Sequence, residues 1–234
     1  MSLSKAFKTT IGAKTLMALT GLALLGFVLV HMLGNLLIFL GRDALNAYAA
    51  QLQSLGGLLW LARGGLLAVL VVHVAMAIRL TRANRMARPV AYVSVQPQVT
   101  SYAARTMMMS GLIVVAFVAY HLLHLTLGVT HPEHHGLQAT LAGKQVHDVY
   151  SMVVLGFQQA PVALGYLVAQ ALLALHLSHG ASSLFQSLGV THPTLKAVQA
   201  KAGPALALLI FAGNASIVLA CWLGLLKLPE GIAA

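Results

Sequence analysis

The stretch FVLVHMLGN, residues 27–35, puts His31 inside an apolar run long enough to cross a membrane. An imidazole at that depth has no water to bond, so its presence is costly and points to a task. Whether it has one depends on whether other histidines sit at matching depths. The surrounding composition frames the question. Of 234 residues, 59% are hydrophobic and 8% charged, and the mean hydropathy is +0.86. A soluble domain of this size carries far more charge, so the chain is expected to be an integral membrane protein.

Five apolar stretches are long enough to span a ~30 Å hydrocarbon core as helices. They run over about 15–40, 58–82, 106–128, 161–185 and 204–226. The runs are unbroken rather than alternating, which excludes barrel strands. Glycine and alanine, as in GLLWLARGGLLAV, suit close helix packing. The expected fold is all-α: one domain over residues 1–234, an integral membrane bundle of five transmembrane helices. Three lysines precede the first run, but no small-residue cleavage motif follows it, so it reads as a retained span and not a signal peptide. No span has an internal proline that would suggest a broken helix.

Lysine and arginine set the expected orientation. Lys5, Lys8, Lys14, Arg79, Arg82, Arg85, Arg88, Arg105, Lys196 and Lys201 gather on one side, and Arg42, Arg63, Lys144 and Lys227 on the other. The richer side is cytoplasmic, which leaves the N-terminus inside and the C-terminus outside. The four carboxylates, Asp43, Glu133, Asp148 and Glu230, all fall outside. The net charge of +10 is read as orientation and lipid or protein contact, with no nucleic-acid partner. Cys221 is the only cysteine, so there is neither an internal disulfide nor a CxxCH haem-attachment site.

Eleven histidines are present. His131, His134, His135, His147 and His192 lie in connections and are expected to be solvated. HPEHH, residues 131–135, can hold a stray metal but lacks the spacing of a closed site. His31, His73, His121, His124, His176 and His179 lie in the spans. At ~1.5 Å per residue, His31 and His121 both lie roughly 23–24 Å above the inner surface, and His73 and His176 both about 14 Å above it. One residue per helix thus falls on two levels, roughly 10 Å apart. Cofactor sites in bundles form from side chains on facing helices. His31 is therefore expected opposite His121, and His73 opposite His176. Paired neutral imidazoles across a core suit a planar iron macrocycle. Without CxxCH, the two haems held inside the first four helices would be non-covalent, of b type. Gly34 and Gly180, one turn from His31 and His176, are expected to leave room for a porphyrin face. His124 and His179, three residues past two of the ligands, are read as supporting groups or quinone-pocket residues. Lys14, Arg79 and Arg105 at the inner edge are candidate propionate partners, helix 5 looks peripheral, and the methionines are gap filler.

These residues resemble a known family. FVLVHMLGN, LVVHVAMAIRLT, FVAYHLLHLTLG and LHLSHGASSLFQSLGVTHP, with ALNAYAAQLQSL after the first span, are similar to the di-haem cytochrome b membrane anchor of succinate:quinone oxidoreductase, the cytochrome b558 family of complex II. Members carry H-x-x-[NH]-G-x-x-S in the fourth helix with the ligand first, which selects His176 and makes Gly180 the glycine. The first histidine of HLLHLT selects His121. The resemblance covers nearly the whole chain. It implies a flavoprotein and an iron–sulfur subunit on the cytoplasmic face, with the basic loop 79–105 as a dock. It implies electron transfer from succinate through two haems to a quinone, commonly menaquinone, as part of the tricarboxylic acid cycle. The location implied is the cytoplasmic membrane of a prokaryote. Related complexes run in reverse as quinol:fumarate reductases. A quinone pocket is expected around Asn46, Tyr48, Gln51 and His124, or alternatively near His179. No carboxylate lies in a span, so any proton path rests on histidine, tyrosine or water.

Three other readings compete. Quinol-oxidising bc-type cytochromes carry two ligands on each of two helices, which this pattern does not match. A histidine-lined proton or solute transporter would need a wet cavity. An assembly anchor with relic histidines would survive ligand substitution. Haem content separates the haem-bearing readings from the others.

Overall fold

Helix α1, Thr10–Asn35, starts where Thr9 Oγ1 accepts the Gly12 N–H at 3.0 Å, a side-chain cap on an otherwise unpaired donor. The computed structural model describes residues 9–87, 90, 100–190 and 192–232, apart from the side chains of 193–196. Lys5, Lys8, Arg88, most of 88–99 and the Lys196 side chain lie outside the described residues. Helix α1 tightens into a 3-10 turn over Leu36–Leu40 and stops at Gly41, whose φ of 102° suits a residue without Cβ. Helices α2, Arg42–Ser54, and α3, Gly57–Met86, follow. A short α4, Tyr102–Arg105, precedes α5, Met107–His121, which continues as a π-helical turn over Leu122–Thr126.

The connection after that turn is not a plain polar loop. It holds a one-turn helix α6, Pro132–His135, and an antiparallel hairpin of β1, Gln138–Leu141, and β2, Lys144–His147. Helix α7, Val149–Gln158, comes next and buries seven of its ten residues. Helices α8, Ala160–Ser187, and α9, Pro193–Trp222, complete the chain.

Five helical stretches are long and apolar enough to cross a membrane: Thr10–Leu40, Gly57–Met86, Met107–Thr126, Ala160–Ser187 and Ala197–Trp222. Their apolar side chains, such as Leu19, Trp60, Leu61, Val168 and Leu208, are largely exposed, as a lipid-facing surface requires. Two expected boundaries move. The first span begins five residues earlier than 15. The last helix begins at Pro193, well before 204, because proline is favoured in a first turn and Ala, Lys and Gln continue the helix readily. Pro204 consequently sits inside α9, where it removes a backbone donor, so the expectation of proline-free spans does not hold.

The chain divides into two compact units. The first takes Met1–Phe27, Arg63–Leu112 and Leu173–Leu208; the second takes Val28–Ala62, Ile113–Leu172 and Leu209–Ala234. The largest buried core belongs to the second. There Ile38, Leu45, Tyr150, Val154, Phe157, Val162, Tyr166, Ile217 and Cys221 pack together. Met32 fits against Gly213, where a Cβ would come within 2.4 Å of its sulfur. The last helix thus contributes to this core and is not merely peripheral.

One polar cluster fastens α2 to α7 within that unit. The Asp148 side chain has no exposed surface; it accepts from Arg42 at 2.5 and 3.0 Å, from the Asn46 amide at 2.9 Å and from the Ser151 N–H at 3.1 Å. Asn46 Oδ1 in turn accepts the Tyr150 N–H at 3.0 Å. Burial pushes the Asp148 carboxyl up, but the hydrogen bonds from Arg42, Asn46 and Ser151 outweigh it and hold the pKa at about 2.

Candidate functional site

In the first unit, His73 projects from α3 toward α1. Its Nδ1 lies 3.2 Å from the Met17 carbonyl and 3.2 Å from Thr20 Oγ1. The carbonyl can only accept, so Nδ1 carries the proton and Nε2 keeps its lone pair. Gly21 permits this approach: a Cβ there would stand 3.2 Å from His73 Cε1. His176, on α8, repeats the arrangement against α5. Its Nδ1 lies 3.3 Å from Ser110 Oγ, and a Cβ on Gly111 would stand 3.3 Å from its Cε1. The hydroxyl of Ser110 also donates to the Met107 carbonyl at 3.2 Å, which fixes its direction. His73 and His176 thus use the same device, a glycine with a neighbouring hydroxyl on the facing helix. The spacing T20-G21 and S110-G111 is the signal that sequence reading passed over.

The second unit holds the other pair. The rings of His31 and His121 face each other with centroids 5.7 Å apart and planes at 87°. His121 Nδ1 lies 3.4 Å from the Tyr166 hydroxyl. Metal-ligating histidines commonly have the second ring nitrogen engaged in this way, which fixes tautomer and orientation. His31 is exposed and His121 half-buried. His31 and His121 are thus the two span histidines of this unit that could hold one metal or cofactor between them.

His124 occupies a different environment from His121. It is 3% exposed, its Nδ1 lies 2.9 Å from the Tyr166 hydroxyl, and its ring is flanked by Tyr120, Phe157 and His131. A Cβ on Gly156 would come within 2.8 Å of its Nε2. One nitrogen is bonded and the other faces backbone, so His124 has no room for a metal. Tyr166 therefore serves two histidines. Gly156→Ala is expected to force the His124 ring aside and destabilise the unit by about 1–3 kcal/mol, the usual range for overpacking. Thermal unfolding in detergent checks this; an unchanged midpoint would mean the ring moves freely.

The remaining candidates are placed as follows. Asn46 is 1% exposed and committed to Asp148 and Tyr150, so it braces the fold and does not line a pocket. Tyr48 packs onto Gly34, where a Cβ would come within 2.7 Å of its ring. Gly34 therefore makes room for tyrosine, whereas Gly180 does face open space. Gln51 is exposed and His179 half-buried. Lys14 lines a cleft of about 380 Å³ in the first unit with Thr15, Gln186 and Ser187. Arg105 lies 6.0 Å from the Tyr102 ring. In the second unit an apolar groove of about 360 Å³ is lined by Ile113, Ala116, Phe117, Tyr120, Val162 and Gly165, among others.

The connecting histidines are less solvated than expected. The His131 and His134 side chains keep 20% and 14% of their surface exposed, and His135 packs on His147 with ring centroids 4.8 Å apart. Burial lowers the His147 pKa, as does the neighbouring His135. His192 is exposed as expected. Compared with known proteins, the chain matches no family model, no curated protein and no solved structure.

Proposed function

We propose that this chain is the di-haem cytochrome b anchor of a succinate:quinone oxidoreductase. The observation that carries the reading is the shared treatment of His73, His121 and His176: Nδ1 is engaged by an oxygen on a neighbouring helix, and Nε2 is left as the available donor. The first unit supplies two such helices and the second one, where His31 stands beside His121. His73 and His176 would hold one b haem, and His31 and His121 the other.

The haems would supply one-electron redox chemistry in a low-dielectric core. Everything else is the work of this chain. The Met17 carbonyl and Thr20 orient His73; Ser110 orients His176; Tyr166 orients His121. Gly21 and Gly111 let those imidazoles approach the facing helix. Gly180, beside His176, leaves space next to a ligand. Lys14, on the wall of its cleft, would meet an anionic group such as a propionate. The two-haem path would carry electrons from a cytoplasmic iron–sulfur subunit to a quinone, commonly menaquinone, in a prokaryotic cytoplasmic membrane.

The position of Thr20 yields an expected result. Thr20→Val keeps the shape but removes the hydroxyl beside His73 Nδ1. Haem affinity of the His73/His176 site should fall by roughly 10–100-fold, the usual effect of losing a ligand's supporting hydrogen bond. Haem release during dilution, followed optically, measures it; unchanged retention would leave orientation to the Met17 carbonyl alone.

The experiment that tests the wider reading is purification of the tagged chain from its native membrane in mild detergent. A flavoprotein and an iron–sulfur protein should accompany it, and the preparation should reduce a menaquinone analogue with succinate. A haem-bearing chain that brings neither flavin nor iron–sulfur protein would contradict the assignment to complex II. Fumarate reduction with quinol exceeding succinate oxidation would place the complex among the reverse-running members.

A further inference from the structure

Outside the paired span histidines, one cluster of donor atoms stands apart. His131 Nδ1 lies 3.4 Å from Glu133 Oε1, and His134 Nε2 lies 3.8 Å from the same oxygen. All three ligand atoms fall within 4.8 Å of one another. Among the described residues, no other group of three such side chains meets this closely. A zinc ion with ligand bonds of ~2.0–2.1 Å has neighbouring donors ~3.3 Å apart on a tetrahedron. Two of the separations are already near that edge.

The surroundings are built rather than incidental. Pro132 opens the turn, and the His135 N–H closes it by donating to the His131 carbonyl at 3.2 Å. Gly128 has φ +65°, and a Cβ there would come within 2.2 Å of the His135 ring, so only glycine lets this turn pack. The His131 and His134 rings stack with centroids 5.0 Å apart and planes at 19°, so closing both nitrogens on one ion requires one ring to rotate about its side-chain torsions. His134 Nδ1, the ring nitrogen turned away from Glu133, is buried without a hydrogen-bond partner, which leaves Nε2 as the atom offered to the cluster. Glu133 keeps 66% of its side-chain surface exposed, which leaves an entry path and a position for an exchangeable ligand.

We infer that His131, Glu133 and His134 form a site for a divalent transition-metal cation, of the imidazole–carboxylate type that zinc occupies. Two imidazoles and one carboxylate leave at least one coordination position to water, so the ion exchanges with solution instead of locking the fold. The proposal does not rest on haem ligation. Its readout is zinc and not iron, so it stands or fails separately.

The test uses the full-length chain in detergent, purified without a polyhistidine tag and stripped with chelator. Zn²⁺ uptake is measured by equilibrium dialysis and elemental analysis. The expected result is saturable uptake of one equivalent. His131→Ala, His134→Ala and the near-isosteric Glu133→Gln should each weaken it by at least roughly tenfold. The variant His192→Ala, outside the turn, should bind as the parent does. Absence of saturable uptake overturns the proposal. So does uptake that survives the triple substitution, or that is lost in His192→Ala while the three single variants retain it.

Discussion

Under the proposed di-haem reading, replacing His121 with alanine is expected to leave one b haem per chain in place of two, and to stop quinone reduction by succinate. The ring of His121 faces that of His31 at 5.7 Å, and Tyr166 steadies its other nitrogen. On that reading its removal takes away one of the two residues that would hold a haem, and it leaves a cavity where a ring had packed. His31→Ala should do the same. His73→Ala and His176→Ala should each remove the other haem, because those residues belong to a different compact unit with its own supporting hydroxyls. Loss of both haems from any single variant would show that the sites assemble together, without removing the ligands' role. The control is His124→Ala. That ring lies within bonding distance of Tyr166 and against Gly156, so haem count should stay at two while stability falls. A haem lost with His124 and kept without His121 would reverse the ligand assignment.

The second large effect concerns Asp148. Asp148→Ala should destabilise the second unit by about 3 kcal/mol, the lower end of what breaking a buried pair costs. The substitution strands Asn46, deep in the interface of α2 and α7, and removes the cap of α7. The carboxyl also predicts a pH dependence. Its folded pKa, about 2, lies below the ordinary 3.8, so the ionised form is the one the fold prefers. The stabilisation is therefore complete above pH 3.8 and is lost as pH falls from there through about 2. A shift of this size is worth about 2 kcal/mol. Thermal unfolding in detergent should show a further drop of the midpoint below about pH 4, on top of the decline that His147, with its lowered pKa, produces as pH falls below 6.5. In Asp148→Asn the drop should shrink. An acid limb of equal size in that variant would place the sensitive group elsewhere.

The five long helices were legible because unbroken apolar runs leave few alternatives at that length. Their ends were less so. Pro193 and Pro204 both looked like boundaries, yet one opens a helix and the other lies within it. The connection over 129–160 hid the most. Its hairpin turns on Ala142 and Gly143, both at positive φ, and alanine in that position gives no turn signal of the Asn-Gly kind. The run VYSMVVLGFQ, too short to span, is what a buried core helix looks like, and Asp148 before it is a legible cap.

Among the candidate residues, the four histidines were proposed on spacing. It could not reveal what supports them. Thr20, Ser110 and Tyr166 come from facing helices, and such partners become visible only when the helices are packed. Asn46 and Tyr48 looked available because their sequence neighbours are polar. Packing gave Asn46 to Asp148 and laid Tyr48 on Gly34.

The most direct measurement is a pyridine haemochrome assay with a reduced-minus-oxidised spectrum on the purified chain. The account predicts two b-type haems per chain. A chain that carries no haem, with the helices folded, would contradict it, and the engaged imidazoles of His73, His121 and His176 would then need another purpose.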